Sequence, residues 1–341
     1  MDFKGSQDIQ TLKEWLSGAH RITILSHTHP DGDALGSSVG MGLYLREVLG
    51  KDAVCLVPDP VADNLQFILP EGLPLMDFKT CPDACRERIA GSDLILLLDG
   101  NNLSRTEALE PLVSASNARK VLIDHHIGPD REHFPLVFST PEISSASELL
   151  YWVLKALGPQ PLPLGCLQAL LTGMTTDTNN FANSVYPSTF RMASEIIAAG
   201  ADRDAVIGQL YNNYRENRVR LFGVMQAHGL KLLPNGTAYM ILTREILTRF
   251  DIREGETEGL VNVPLTIGGV RLSLLLKEDQ GHFRVSIRSK KGTSARLLAQ
   301  EHFHGGGHEN ASGGKLYFPA DVPTPGDAAA LVEAILMQYC R

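Results

Sequence analysis

The sequence predicts an α/β protein of two domains. The first has a mostly parallel sheet flanked by helices; the second is smaller, with a mixed or antiparallel sheet. Three observations carry this. Strand-like and helix-like stretches alternate through the first 130 or so residues, the βαβ rhythm of a parallel sheet. The runs "LILLLDG" (94–100) and "KVLIDHH" (120–126) are apolar up to their acidic ends, as strands buried on both faces are. After about residue 230 the texture changes to strands joined as a hairpin. A length of 341 residues suits two domains better than one.

In chain order, the first helix is expected at about 7–17. Ser6 caps it, Ile9, Leu12, Trp15 and Leu16 form one face, and Gly18 follows. "RITILSH" (21–27) and "AVCLVPD" (53–59) read as strands, with a helix between them in "GSSVGMGLYLREVLG". "SSASELLYWVLKALG" (144–158) reads as a helix whose capping box pairs Ser145 with Glu148. A long helical stretch at about 188–228 is broken at Gly200, and its charged later half suits a connector. "TAYMILT" (237–243), "GVRLSLLLKED" (269–279) and "HFRVSIRSK" (282–290) read as strands, the last two turning through "QG", with a helix near 293–300. The expected boundaries are therefore a catalytic domain over 1–200, a helical linker over 201–230 and a second domain over 231–341.

Composition narrows the function. Apolar residues are 43% and charged residues 21% of the chain, as in ordinary globular proteins. No run is long and apolar enough to span a bilayer, so no membrane association is expected. "MDFKGSQDIQ" has no basic stretch before an apolar one, so no secretory signal is expected. The five scattered cysteines suit reduced thiols, hence a cytoplasmic location, and "CPDAC" lacks the second pair of a zinc site. A formal charge of −8 disfavours binding to long DNA or RNA. A small anionic substrate remains compatible, because bound cations invert a local field.

The chemistry lies where the apolar runs end. "ITILSHTHPDGD" delivers His27, Asp31 and Asp33; "LILLLDGNN" delivers Asp99; "KVLIDHH" delivers Asp124, His125 and His126; "LLTGMTTDTNNF" delivers Asp177. Singly, most have plain structural readings: Asp99 and Asp177 as turn formers, "PDGD" as a turn, His20 and His29 as bystanders. "DHH" is harder to dismiss, because an acid and two imidazoles at a buried strand end cost desolvation unless paired or metallated. Ligands bind beyond the carboxyl ends of parallel strands, so the clusters are expected to converge. Asp31, Asp33, Asp99 and Asp177 cannot share a pocket as bare anions. Two divalent cations would neutralise them. Carboxylates with a few imidazoles favour a hard or borderline ion, Mn2+ first and Mg2+ as the alternative. A pair of ions about 4 Å apart is a device for in-line displacement at phosphorus.

"HTHPDGDALGS", "LLLDGNNLSR", "LIDHH" and "TGMTTDTNNF", in this order, resemble the four motifs of the DHH phosphoesterase superfamily. "VSIRSK" and "GGGHENASGG" resemble its DHHA1 partner domain. The compact length is similar to the NrnA-type branch of oligoribonucleases that also act on 3′-phosphoadenosine 5′-phosphate. The resemblance implies an active site in the cleft between the two domains. It implies that His27 and Asp31 hold one metal, that Asp33, His125 and Asp177 hold the other, and that Asp99 bridges them. It implies that Asp124 orients a neighbouring imidazole, that His126 faces the scissile phosphate, and that Arg105 faces phosphate too. In the second domain it implies that Arg288 clamps a non-scissile phosphate, that Gly305, Gly306 and Gly307 let backbone N–H groups approach phosphate, and that His308 binds or protonates it. Asn180 departs from the glycine of many relatives, which bears on turn geometry and leaves the metal ligands complete.

The expected activity is metal-assisted hydrolysis of short oligoribonucleotides or 3′-phosphoadenosine 5′-phosphate to nucleoside monophosphates, with homodimerisation a family-level expectation. The alternatives are a phosphodiesterase for cyclic di-AMP or linear dinucleotides, an exopolyphosphatase, and a non-catalytic nucleotide sensor. A Rossmann oxidoreductase is disfavoured, since "GSSVGMG" does not fit the dinucleotide-binding spacing.

Overall fold

The computed structural model describes residues 3, 5–158 and 161–339, so Cys340 lies outside the described residues. The chain divides into two compact units, 1–213 and 214–341.

The first unit runs α1 (Gln7–Gly18), β1 (Arg21–Leu25), α2 (Gly32–Leu43), β2 (Asp52–Val57), β3 (Leu75–Asp77), α3 (Pro82–Ala90), β4 (Leu94–Leu98), α4 (Glu110–Ala115), β5 (Arg119–Asp124) and β6 (Leu136–Ser139). Four helices follow: α5 (Ala146–Leu157), α6 (Leu164–Asp177), α7 (Pro187–Ala198) and α8 (Arg203–Tyr211). The six strands form one sheet in the order β3-β2-β1-β4-β5-β6, and every neighbouring pair is parallel. Alternation along each strand supplies two cores. Ile22, Ile24, Cys55, Leu96 and Ile123 pack with α1, α2, α5 and α6 on one face. Leu25, Leu56, Ile95, Leu97 and Leu122 pack with α3 and α4 on the other.

Local signals explain the ends. The Ser6 hydroxyl accepts from the Ile9 amide and starts α1; the Ser145 hydroxyl accepts from the Glu148 amide and starts α5. The Glu148 carboxylate accepts from the Ser144 amide and hydroxyl, one residue earlier than the expected capping box, and from Thr189 and Trp152 as well. Two short strands, β3 and β6, were not expected. The long stretch at 188–228 breaks a second time, at 212–215.

Helices α2 and α6 run antiparallel with their backbones almost touching. A Cβ on Gly36 would meet the Ala169 carbonyl oxygen at 2.6 Å, and one on Gly173 would meet Ser147 Oγ at 2.1 Å and Asp33 Oδ1 at 2.9 Å. Only glycine fits this seam. The seam brings the start of α2, which carries Asp33, beside the end of α6, which carries Asp177.

The second unit contains α9 (Glu216–Val224), β7 (Lys231–Leu232), β8 (Thr237–Leu242), α10 (Arg244–Arg249), β9 (Leu272–Glu278), β10 (His282–Ser289), α11 (Ala295–His302), β11 (Gly306–Gly307), β12 (Ala311–Tyr317) and α12 (Ala328–Tyr339). Its sheet order is β11-β12-β10-β9-β8-β7, antiparallel except for β8 beside β9. Helices α11 and α12 bury Leu298, Ala299, Val332 and Leu336 against one face.

Candidate metal centre

The strand order of the first unit reverses between β1 and β4: the chain builds β2 and β3 on one side of β1, then β4 to β6 on the other. Such a reversal opens a crevice at the carboxyl ends of the strands. His27 lies two residues beyond β1, Asp99 directly follows β4, and Asp124, His125 and His126 close β5. Two expected donors come from helices. Asp33 lies in the first turn of α2, and Asp177 is the last residue of α6. The run before Asp177 is apolar because α6 is buried between α2 and α5, so the expectation that every apolar run here ends a strand fails there.

Asp99 has φ +55°, a left-handed conformation unfavourable for a side chain with a Cβ. The strained turn points its carboxylate between two histidines. His27 Nε2 lies 3.4 Å from Asp99 Oδ2, and His125 Nε2 lies 3.4 Å from Asp99 Oδ1. His27 Nε2 is also 3.9 Å from Asp31 Oδ1; His125 Nε2 is 3.9 Å from Asp33 Oδ2 and 3.5 Å from Asp177 Oδ2. The structure thus gathers His27, Asp31 and Asp99 in one cluster and Asp33, His125 and Asp177 in another, with Asp99 between the two histidines. Two donors each about 2.1 Å from one ion stand roughly 3–3.5 Å apart. The spacings of His27 and His125 to Asp99 and of His125 to Asp177 match that, those to Asp31 and Asp33 are somewhat longer, and all exceed ordinary hydrogen bonds.

Asp31 does two jobs. Its Oδ1 accepts from the Asp33 and Ala34 amides and caps α2, while its side chain stays half exposed beside His27. Asp33 is buried, and the start of α5 holds both its oxygens: the Ala146 amide donates to Oδ2 at 2.7 Å and the Ser147 amide to Oδ1 at 2.9 Å. These two amides were not foreseen as site groups. Their signal was the Ser145 cap, since a helix N-terminus presents free N–H groups to an anion.

Asp124 is buried and fixes His126. Its Oδ1 accepts from His126 Nδ1 at 2.8 Å and its Oδ2 from the His126 amide at 2.9 Å. That leaves Nε2 as an acceptor, and Arg105 Nη1 donates to it at 3.0 Å. Arg105, held by the His126 ring, thus brings a cationic guanidinium to one edge of the crevice.

The electrostatics call for positive charge. Burial, with the charges of Asp99 and Asp177, pushes the Asp33 carboxyl well above its ordinary value. Burial pushes Asp177 up to about 6, with His125 opposing. Burial also works against ionised Asp99, yet His125 and His27 hold it well below the usual carboxylate range. His125 is carried up to about 10: burial opposes its charge, and Asp177 and Asp99 outweigh that. The buried Asp99 Oδ1 has no hydrogen-bond partner among the described residues. A donor set of carboxylates and imidazoles with an orphaned, buried carboxylate oxygen fits divalent cations.

Residues 21–174 match the model of the DHH family, N-terminal domain, and residues 237–336 match the DHHA1 domain. The chain belongs to the DHH family. A solved structure of an exopolyphosphatase-related protein from Bacteroides fragilis superposes on this DHH chain with a TM-score of 0.91 at 33% identity, covering 99% of this chain and 98% of that one. The bifunctional oligoribonuclease and PAP phosphatase NrnA of Bacillus subtilis is 29% identical over 304 residues, 86% of this chain and 90% of that protein. The cyclic-di-AMP phosphodiesterase GdpP of Geobacillus thermodenitrificans is 27% identical over 341 residues, but the match spans only 49% of its length. This DHH protein is a metal-dependent phosphoesterase. Among its described residues no helix is long and apolar enough to cross a membrane.

The residues expected to bind substrate in the second unit are placed as follows. Arg288 lies on β10, half-buried, with Nη1 donating to the Ile287 carbonyl at 3.0 Å. The Gly305 amide already donates to the Ala299 carbonyl, and a Cβ there would lie 2.0 Å from the Gly313 oxygen, so close packing alone requires that glycine. Gly306 and Gly307 form the edge strand β11, and the His308 amide donates to the Ala311 carbonyl.

Proposed function

We propose that this DHH protein hydrolyses short 5′-phosphorylated oligoribonucleotides and 3′-phosphoadenosine 5′-phosphate, releasing nucleoside monophosphates, with Mn2+ as the preferred metal. The reading rests above all on the two donor clusters that meet at Asp99, together with the likeness to NrnA over most of both chains. In this reading His27 and Asp31 hold one ion, Asp33, His125 and Asp177 the other, and Asp99 serves both. When bound, the ions neutralise the carboxylates, polarise the phosphoryl group and acidify a water. The Ala146 and Ser147 amides keep the Asp33 carboxylate aimed inward. Asp124 holds the His126 ring in one tautomer whose Nε2 accepts from Arg105, and the ring so held keeps the Arg105 guanidinium facing negative charge developing on phosphoryl oxygens. Arg288, Gly306, Gly307 and His308 are proposed to bind the remaining phosphates of the substrate.

The test is hydrolysis, side by side, of a 5′-phosphorylated RNA dinucleotide, a 24-mer, 3′-phosphoadenosine 5′-phosphate, cyclic di-AMP and polyphosphate, with Mn2+, with Mg2+ and with chelator. Mn2+-dependent release of nucleoside monophosphate from the dinucleotide or from 3′-phosphoadenosine 5′-phosphate is the expected result. Turnover of cyclic di-AMP alone, or of polyphosphate alone, would replace this reading with the corresponding relative's activity.

A further inference from the structure

His27 sits on a short loop whose anchor is one strand away. Asp59, two residues beyond β2, is 5% exposed. Its Oδ2 accepts hydrogen bonds from the Thr28 hydroxyl and, at 2.7 Å, from the His29 amide. Its Oδ1 meets Lys79 Nζ at 2.5 Å, and Lys79 lies two residues beyond β3. One carboxylate therefore ties together the carboxyl ends of β1, β2 and β3. The loop after β4 joins them through the backbone, because the Thr28 amide donates to the Arg105 carbonyl at 2.8 Å.

The clamp has a direct consequence for the His27 ring. With its hydroxyl and amide both engaged, the Thr28 peptide is fixed, and His27 Nδ1 donates to the Thr28 carbonyl at 2.7 Å. That bond commits Nδ1 as the protonated nitrogen and leaves Nε2 with its lone pair. Nε2 is the atom facing Asp99 and Asp31. The clamp also holds His29 at φ +49°, a conformation an L-residue leaves unless it is held there.

We propose that Asp59 is a positioning residue for one of the two metal sites, the one built on His27 and Asp31. It fixes the Thr28 carbonyl that orients the His27 imidazole, and it leaves the site built on Asp33, His125 and Asp177 unaffected. The proposal rests on the two-ion reading above.

The experiment is a Mn2+ titration of the full-length protein, with free Mn2+ followed by its electron paramagnetic resonance signal. Wild type is expected to bind two ions. In Asp59→Ala, one ion keeps its wild-type affinity and the other binds about tenfold or more weakly, the usual scale for losing a group that orients a metal ligand. Asp59→Asn retains an oxygen that accepts from Thr28 and His29, and stays within about threefold of wild type at both sites, as does Lys79→Ala. In a His27→Ala background, Asp59→Ala adds no further loss. Equal weakening of both sites in Asp59→Ala, no weakening at either, or a loss in Asp59→Asn as large as in Asp59→Ala would each overturn the proposal. Should Asp59→Ala fail to fold, Thr28→Val removes a single hydroxyl; a several-fold loss at one site supports the proposal, and unchanged binding at both defeats it. A wild-type protein that binds no Mn2+ would instead refute the two-ion reading, and the proposal with it.

Discussion

At the scale of single residues, Asp99 concentrates the functional demand. It stands between His27 and His125 in a strained backbone conformation. Asp99→Ala is expected to abolish turnover while leaving the thermal midpoint within a few degrees of wild type; a variant with near-normal kcat would defeat the two-ion reading. Asp59 permits a different measurement. The Lys79 ammonium, the Thr28 hydroxyl and the His29 amide outweigh its burial and lower its carboxyl to about 2. A carboxyl lowered in the folded state stabilises that state above its unfolded value near 4, and the contribution is lost as pH falls toward 2. It amounts to about 2 kcal/mol. Urea unfolding of wild type and Asp59→Ala between pH 2 and 6 should show a stability gap that narrows as the pH falls; a gap independent of pH would show that the carboxylate charge is not its source. Asp59 was not legible beforehand. It is one more aspartate after an apolar strand, and its importance comes from residues 30 positions earlier and 20 later that only the folded sheet brings to it.

At the scale of elements, what could be read depended on length and local chemistry. Strands β1, β2, β4 and β5 announce themselves as apolar runs, and α1 and α5 by their serine caps. Strands β3 and β6 have three and four residues, too few for a period to show. The four acidic ends were visible, but Asp33 and Asp177 turned out to be helix residues. Their meeting depends on the glycine seam of α2 and α6, which no single-segment pattern reveals. Gly173→Ala would place a methyl carbon against Ser147 Oγ and Asp33 Oδ1. It is expected to cost about 1–3 kcal/mol of stability, as overpacking does, and to weaken Mn2+ binding at the Asp33 site in the same titration. Wild-type stability together with wild-type affinity would show that the seam yields without consequence. Ser145→Ala removes the cap of α5, and calorimetry should find about 1 kcal/mol less stability.

At the scale of the whole chain, each unit buries its own core around its own sheet, and all six proposed metal donors belong to the first. Ion binding should therefore protect one half of the molecule. With Mn2+ at 100 times its Kd, the first unit is expected to gain about 3 kcal/mol. Hydrogen exchange should slow in β1, β4, β5 and α6 and remain unchanged in β9 and β10; equal slowing in both sheets would contradict it. The seam between α2 and α6 also sets a timetable. His27 and Asp31 leave the ribosome early, yet Asp33 lacks one of its neighbours until Asp177 has been synthesised and α6 has docked against α2, some 140 residues later. A nascent first unit therefore passes through a stage at which most of its strands exist while its carboxylates have no complete cage to hold a cation. Capture of the ions reports that α6 has docked against α2, so a nascent chain stopped before Asp177 should bind them far more weakly than the finished first unit does.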